Sequence, residues 1–231
     1  MIIVSGLTVF VCYEYQIFFN VDLTLLSIAI IFPLVFTIRG SFRRREKALE
    51  HLSQFRSAMK TLFYFTSTSN LTIEEKNNLE RILKEIGGKT LERLKIQNEE
   101  IKDLDDEIEK VYDFIHSKNG MISTKLKDRI FKYMNDLHEA IDNLHAIHVH
   151  RTPISLKAYC KVFIYIFPMI YTPTIIFNIG QNYNHAAVYF VVILTEFILI
   201  SLYNIQDHLE YPFDSKGLDD IKLDHFKIIR K

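Results

Sequence analysis

The chain has 231 residues, with 28 Lys and Arg against 28 Asp and Glu, so its formal net charge is zero. That balance argues against nucleic acid as a partner. The two cysteines, Cys12 and Cys160, sit in or beside apolar segments far apart in sequence and read as buried thiols rather than a disulfide framework. The charge is unevenly placed, nearly all of it between Arg39 and Lys161 and after Asn204, and the remaining blocks are rich in Ile, Phe, Val and Tyr.

The first block, from about Met1 to Phe19, is weakened as a membrane span by Glu14. It lacks the basic head and the small-residue cleavage site of a signal peptide, so it reads as a short or truncated first span. The second block, Leu23–Ile38, carries no charged residue and meets Arg39, Arg43, Arg44 and Arg45. An uncharged helix ending in arginines leaves the bilayer on its cytoplasmic side. It is short for a span but continuous with the helix that follows it. Within it Ile28, Phe32 and Phe36 fall one helical turn apart and form one bulky apolar stripe. Such a stripe packs against a neighbouring helix or, repeated around a symmetry axis, makes apolar rings that constrict a pore.

The charged middle is helical by pattern. Thr72 and Glu75 make a capping box, and Leu79, Ile82, Leu83 and Ile86 follow at helical spacing, with a stop expected at Gly87-Gly88. A second stretch carries Leu91, Leu94, Ile101, Leu104, Ile108, Val111 and Ile115 and ends near Asn119-Gly120. A third runs from Ser123 to about His148, with Leu126, Ile130, Met134, Leu137, Ile141 and Leu144 on one face.

A third apolar block lies within Val162–Asn184, broken by Pro168 and Pro173, and a fourth is Ala186–Tyr203, interrupted only by Glu196. Glu196 is costly in lipid and so faces protein or water, with a hydrogen bond to a neighbouring helix favoured over a place on an ion path. The loops Tyr15–Val21 and Asn178–His185 are nearly free of charge and are expected outside, whereas the arginine cluster puts Arg39–Arg151 and both termini in the cytoplasm. The result is an all-α membrane protein with four transmembrane helices and a helical cytoplasmic body. Its regions are two spans over 1–38, the cytoplasmic helices over 39–154, two further spans over 155–204 and a cytoplasmic tail over 205–231.

Several signals imitate chemistry. Gly87-Gly88-Lys89-Thr90 resembles the end of a phosphate-binding loop, but Leu83 stands where that motif needs its first glycine, and a helix precedes it rather than a strand. His148-Val149-His150-Arg151-Thr152-Pro153 imitates the phosphoacceptor box of sensor kinases, but Val149 replaces the acidic neighbour and no ATP-binding domain fits after Ser155. His145, His148 and His150 lack a cysteine or firm carboxylate partner to complete a metal set, and read as solvated or interfacial histidines. Asn70-Leu71-Thr72 fits a glycosylation acceptor but faces the cytoplasm. No nucleophile, base and oxyanion arrangement is visible, so an enzyme is the weaker class. No metal or cofactor is called for.

The tail carries a resemblance. Leu209-Glu210-Tyr211-Pro212-Phe213, followed by Asp220-Ile221-Lys222-Leu223-Asp224, resembles the end of the bestrophin family, above all its bacterial members. Arg151-Thr152-Pro153-Ile154 is similar to that family's approach to its third span, and Pro168 and Pro173 fall near a proline inside it. Ile28, Phe32 and Phe36 match the three neck positions of its second helix, and Phe42 and Arg44 its following aromatic–x–arginine. The chain departs from the family in three ways. It begins almost inside the first span, Arg45 and Glu46 stand where family tryptophans follow the neck, and Asp214-Ser215-Lys216-Gly217 replaces the dense acidic run of calcium-gated animal members.

The resemblance implies a homopentameric ion channel of a bacterial inner membrane, lined by the second helix and passing chloride or other small anions. Five copies of Ile28, Phe32 and Phe36 make a dry neck able to close by dewetting. Phenyl edges carry partial positive charge and favour anions, and the arginines Arg39–Arg45 concentrate anions below. The family's second constriction falls on the third body helix, at Ile141, or at Glu139 by an ungapped alignment; five copies of Glu139 favour cations. A membrane-anchored helical scaffold stays open as an alternative, as does a cation-conducting relative.

Overall fold

The computed structural model describes residues 2–96, 102–118, 120–179 and 184–228, with the side chains of 102 and 103 left out. Its elements are α1 (Ile2–Glu14), α2 (Leu23–Thr68), α3 (Ile73–Lys95), α4 (Lys102–Ser117), α5 (Thr124–Val149), α6 (Ile154–Ile179) and α7 (His185–Glu210), then a short 3-10 turn at Leu223–Phe226. Among the described residues there is no strand element. Apolar stretches long enough to cross a bilayer lie in α2, α6 and α7.

The chain divides into two compact units. One takes everything up to Arg43 together with Thr152–Glu210; the other takes Arg44–Arg151 and the tail from Tyr211.

In the first unit α1 packs on α6 and α7. It has 13 residues, about 20 Å at the ~1.5 Å rise of an α-helix, which is less than the ~30 Å hydrocarbon core. The helix expected to reach Phe19 stops at Glu14. Gln16 adopts a left-handed backbone with φ 52°, while Ile17 N–H donates to Cys12 O at 2.9 Å and Gln16 N–H to Tyr13 O at 3.4 Å. This is a Schellman stop made without glycine. Two apolar clusters hold the unit. Val9 and Cys12 of α1 meet Ile176 of α6 and Val188 and Val192 of α7. Ile30 and Leu34 of α2 meet Cys160, Ile164 and Phe167 of α6 and Leu199 of α7.

Prolines do not break these helices. Pro33 lies inside α2, and Pro168 and Pro173 lie inside α6. Pro33 has no N–H to give the carbonyl of Ala29, and Tyr159 Oη of α6 donates to that carbonyl at 3.3 Å instead.

The second unit has one large core. Leu52, Phe55 and Met59 of α2, Leu83 and Ile86 of α3, Ile108 and Ile115 of α4, and Leu137 and Leu144 of α5 are all enclosed in it. Thr72 caps α3 with the full reciprocal box, and Ser123 caps α5. The expected stop at Gly87-Gly88 is overturned: α3 runs through both glycines to Lys95. A glycine pair costs a helix only ~2 kcal/mol relative to alanine, and burial of Ile86, Leu91 and Leu94 on the same face outweighs that. The periodic stretch Leu91–Ile115 is therefore shared between α3 and α4, and Ile101 and Asn119 lie outside the described residues, as do 180–183 in the loop expected outside.

Candidate functional site

The first half of α2 has two opposite faces. Ile30, Leu34, Thr37 and Ser41 are buried, and Thr37 Oγ1 donates to Leu34 O at 2.8 Å. On the other side Ile28, Phe32 and Phe36 are 45, 55 and 61% exposed. The rings of Phe32 and Phe36 lie 6.2 Å apart at 41°, a tilted pair of the kind aromatic rings prefer. Leu25, Ile31 and Val35 are exposed beside them. The chain thus satisfies one face of the helix and presents three bulky side chains in a row on the other. No polar atom of the stripe can hydrate an ion.

Below the stripe Phe42 is exposed, as are Arg39 and Arg43. In the second unit Arg45 Nε donates to Asp219 O at 2.8 Å, and Glu50 is held by Lys47 at 2.6 Å. The Lys47 hydrogen bond and charge keep the Glu50 carboxyl below the usual range. Arg45 is therefore engaged in fixing the tail, which leaves Arg39 and Arg43 as the exposed cations of the cluster.

The two candidates for a second constriction differ in burial. Ile141 is 3% exposed, within the core of the second unit, so its side chain is already enclosed by its own chain. Glu139, two residues earlier on α5, is exposed. The apolar periodicity through Leu137, Ile141 and Leu144 carried that signal already.

The tail motif divides its work. Glu210 ends α7 and is buried; one carboxylate oxygen accepts from Thr152 N–H at 3.0 Å, the other from Gln206 Nε2 at 2.9 Å. Lys157 Nζ lies 2.8 Å from Glu210 and 2.7 Å from Asp207. A buried carboxylate so surrounded has its charge and its lone pairs matched, and it ties the end of α7 to the start of α6. In the second unit Pro212 O accepts from Ile221 N–H at 2.8 Å, Phe213 is enclosed in the core, and Arg151 stacks over Tyr211 at 4.4 Å. Asp214 and Asp220 accept from the backbone N–H groups of Lys216 and Gly217. Burial, followed by the nearby Asp214, pushes the Asp220 carboxyl up.

Among the described residues no three His, Cys, Asp or Glu side chains gather in a metal-binding group. His148 is half-buried, and burial, then Arg151, pushes its imidazole down. Its ring sits 6.3 Å from that of Phe213.

Comparison with known proteins gives a fold. No protein-family model and no curated protein matches the chain. A bestrophin homologue from Klebsiella pneumoniae, solved as a point mutant, superposes with a TM-score of 0.81 at 15% identity, covering 97% of this chain and 92% of that one. The chain has the bestrophin fold. A second solved form of the Klebsiella bestrophin homologue gives a TM-score of 0.78 at 16% identity over the same shares of the two chains. A solved structure described as a membrane protein gives 0.82 at 14% identity, again over 97 and 92%. At 14–16% identity the likeness is one of fold. With its apolar helices, the chain is an integral membrane protein of the bestrophin fold.

Proposed function

We propose that the chain is a subunit of an ion channel, five copies surrounding an axis lined by the first half of α2. The observation that carries this reading is the stripe Ile28, Phe32 and Phe36. A helix whose opposite face is fully packed leaves three large apolar side chains in a row unpartnered by its own chain. In the five-fold arrangement they form three dry rings, which ions cross only when the neck wets.

Chloride or another small anion is the proposed permeant ion. Phenyl edges turned to the axis offer partial positive charge, and Arg39 and Arg43 raise local anion concentration below. Both termini are proposed to be cytoplasmic, in a bacterial inner membrane, following the arginine cluster. Cation conduction is the second reading, and it rests on Glu139, whose exposed carboxylate is available to an axis where Ile141 is not.

The test is ion flux from purified protein in liposomes, with chloride and sodium measured separately, beside the oligomer's mass. A pentamer passing chloride supports the first reading. Sodium flux abolished by Glu139→Gln supports the second. A monomer or dimer without flux supports a membrane-anchored scaffold and overturns both.

A further inference from the structure

The buried face of α7 runs through Val188, Val192, Glu196 and Leu199. Glu196 is 1% exposed, and neither of its carboxylate oxygens has a hydrogen-bond partner. Its neighbours along the helix place it between the two apolar clusters of the first unit, since Val188 and Val192 belong to one and Leu199 to the other. On α6 the same junction, between Phe167 and Ile176, holds Thr172, which is fully buried with its hydroxyl oxygen also unpartnered. On α1 it holds Ser5, fully buried and one turn before Val9. The stack of Tyr13 on His185, with centroids 4.2 Å apart, fixes the antiparallel register of α1 and α7. By helix position Glu196, Thr172 and Ser5 fall near one level of the first unit, a polar layer on the buried faces of three helices.

An ionised carboxylate without a partner is strongly disfavoured there. A metal ion requires several oxygen ligands at once, and the layer offers one carboxylate and short hydroxyls. A proton alone removes the charge and adds a donor. We infer that Glu196 is a proton-binding site of the helix bundle, occupied at neutral pH, whose loss of the proton loosens α1 from α6 and α7. Other charges near the layer are scarce. Between Ile2 and Tyr13 on α1, between Leu23 and Ile38 on α2 and between Val162 and Ile179 on α6 there is no Asp, Glu, Lys, Arg or His. The titratable groups of the helices packed around Glu196 are Cys12, Tyr13 and Glu14 of α1, Lys157, Tyr159, Cys160, Lys161, Tyr165 and Tyr171 of α6, and His185, Tyr189, Tyr203, Asp207, His208 and Glu210 of α7, the charged ones standing at the helix ends. The amino group ahead of Ile2 lies outside the described residues.

Infrared spectra of the full-length protein in liposomes test this, whatever the bundle conducts. The carbonyl band of a protonated carboxylic acid is expected at neutral pH in the wild type and is expected to vanish in Glu196→Gln. A proton held in the folded bundle and released on unfolding makes the fold less stable as pH rises, so the melting temperature of the wild type should fall toward alkaline pH while that of Glu196→Gln stays flat. Thr172→Val keeps the acid in the same surroundings, so it reports even where Glu196→Gln does not fold, and it should retain the band. A neutral-pH spectrum without a protonated acid band overturns the inference. So does a band missing from Thr172→Val, or an alkaline loss of stability shared by Glu196→Gln.

Discussion

The two units of this chain spend their apolar side chains differently. The second unit closes them into a single core, caps its helices with Thr72 and Ser123, and ties its surface with pairs such as Lys118–Glu75 at 2.7 Å and Lys89–Glu107 at 2.7 Å. The first unit holds two small clusters and leaves Ile28, Phe32, Phe36 and much of α7 uncovered, while enclosing Glu196 without a partner. One region has the arrangement of a water-soluble domain. The other has the inverted arrangement of a membrane bundle, apolar side chains on its outer faces and a polar group inside. Helix α2 belongs to both, packed on one side only in its first half and deeply enclosed around Leu52 and Phe55.

If the second unit is held by its core, Phe213→Ala should be the most damaging change in it. Removing a fully buried phenyl costs ~3–5 kcal/mol, read as a lowered unfolding midpoint; an unchanged midpoint would mean that the ring contributes nothing to the core. In the first unit the comparable lesion is polar. Glu210→Ala strips the acceptor from Thr152 N–H and one partner from Lys157; both donors are partly buried, so the loss should fall at or below the ~1–3 kcal/mol of a fully buried unpaired donor, read as a lowered unfolding midpoint.

The capping box provides a smaller and pH-linked effect. Thr72→Ala should cost ~1 kcal/mol. The Glu75 carboxyl is lowered from 4.5 to about 2 by the Lys118 hydrogen bond first and the Thr72 backbone and side chain next. Because the folded value lies below the unfolded one, that stabilisation is complete above pH 4.5 and disappears as pH falls through about 2. Glu75→Gln should therefore flatten the acid limb of a stability–pH curve; an identical limb would show that the box is not formed in solution. The smallest effect is a gain. A Cβ at Gly88 meets nothing within 4 Å, so Gly88→Ala should stabilise α3 by ~1 kcal/mol, whereas a helix that stopped there would lose stability.

The same contrast explains what could be read from the amino acids alone. The second unit obeys rules written for water. The Thr72 box, the Ser123 start and the apolar face of α5 were all visible, and that face already carried Ile141, the first choice for a constriction, whereas the ungapped family alignment pointed to Glu139. Gly87-Gly88 misled because tertiary burial overrode a local preference, and the turn at Gln16 was invisible because its left-handed residue is not a glycine. In the first unit the order of apolar blocks was legible and the partners were not. Tyr159 serving the carbonyl freed by Pro33, and Lys157 matched to Glu210 and Asp207, depend on helices far apart in sequence. The expected hydrogen bond from Glu196 to a neighbouring helix is not made. The stripe Ile28, Phe32 and Phe36 was legible as a stripe and is exposed on the single chain; the partner proposed for it is another copy of the chain.

That partner is what the central measurement must identify. Chloride flux and melting temperature are compared in liposomes for the wild type and for the triple variant Ile28→Ala, Phe32→Ala, Phe36→Ala. A pore-lining stripe predicts a wider and wetter neck, higher flux and an intact oligomer. A stripe buried between helices predicts lost contacts instead, and a destabilised protein whose flux is unchanged or abolished would contradict the account.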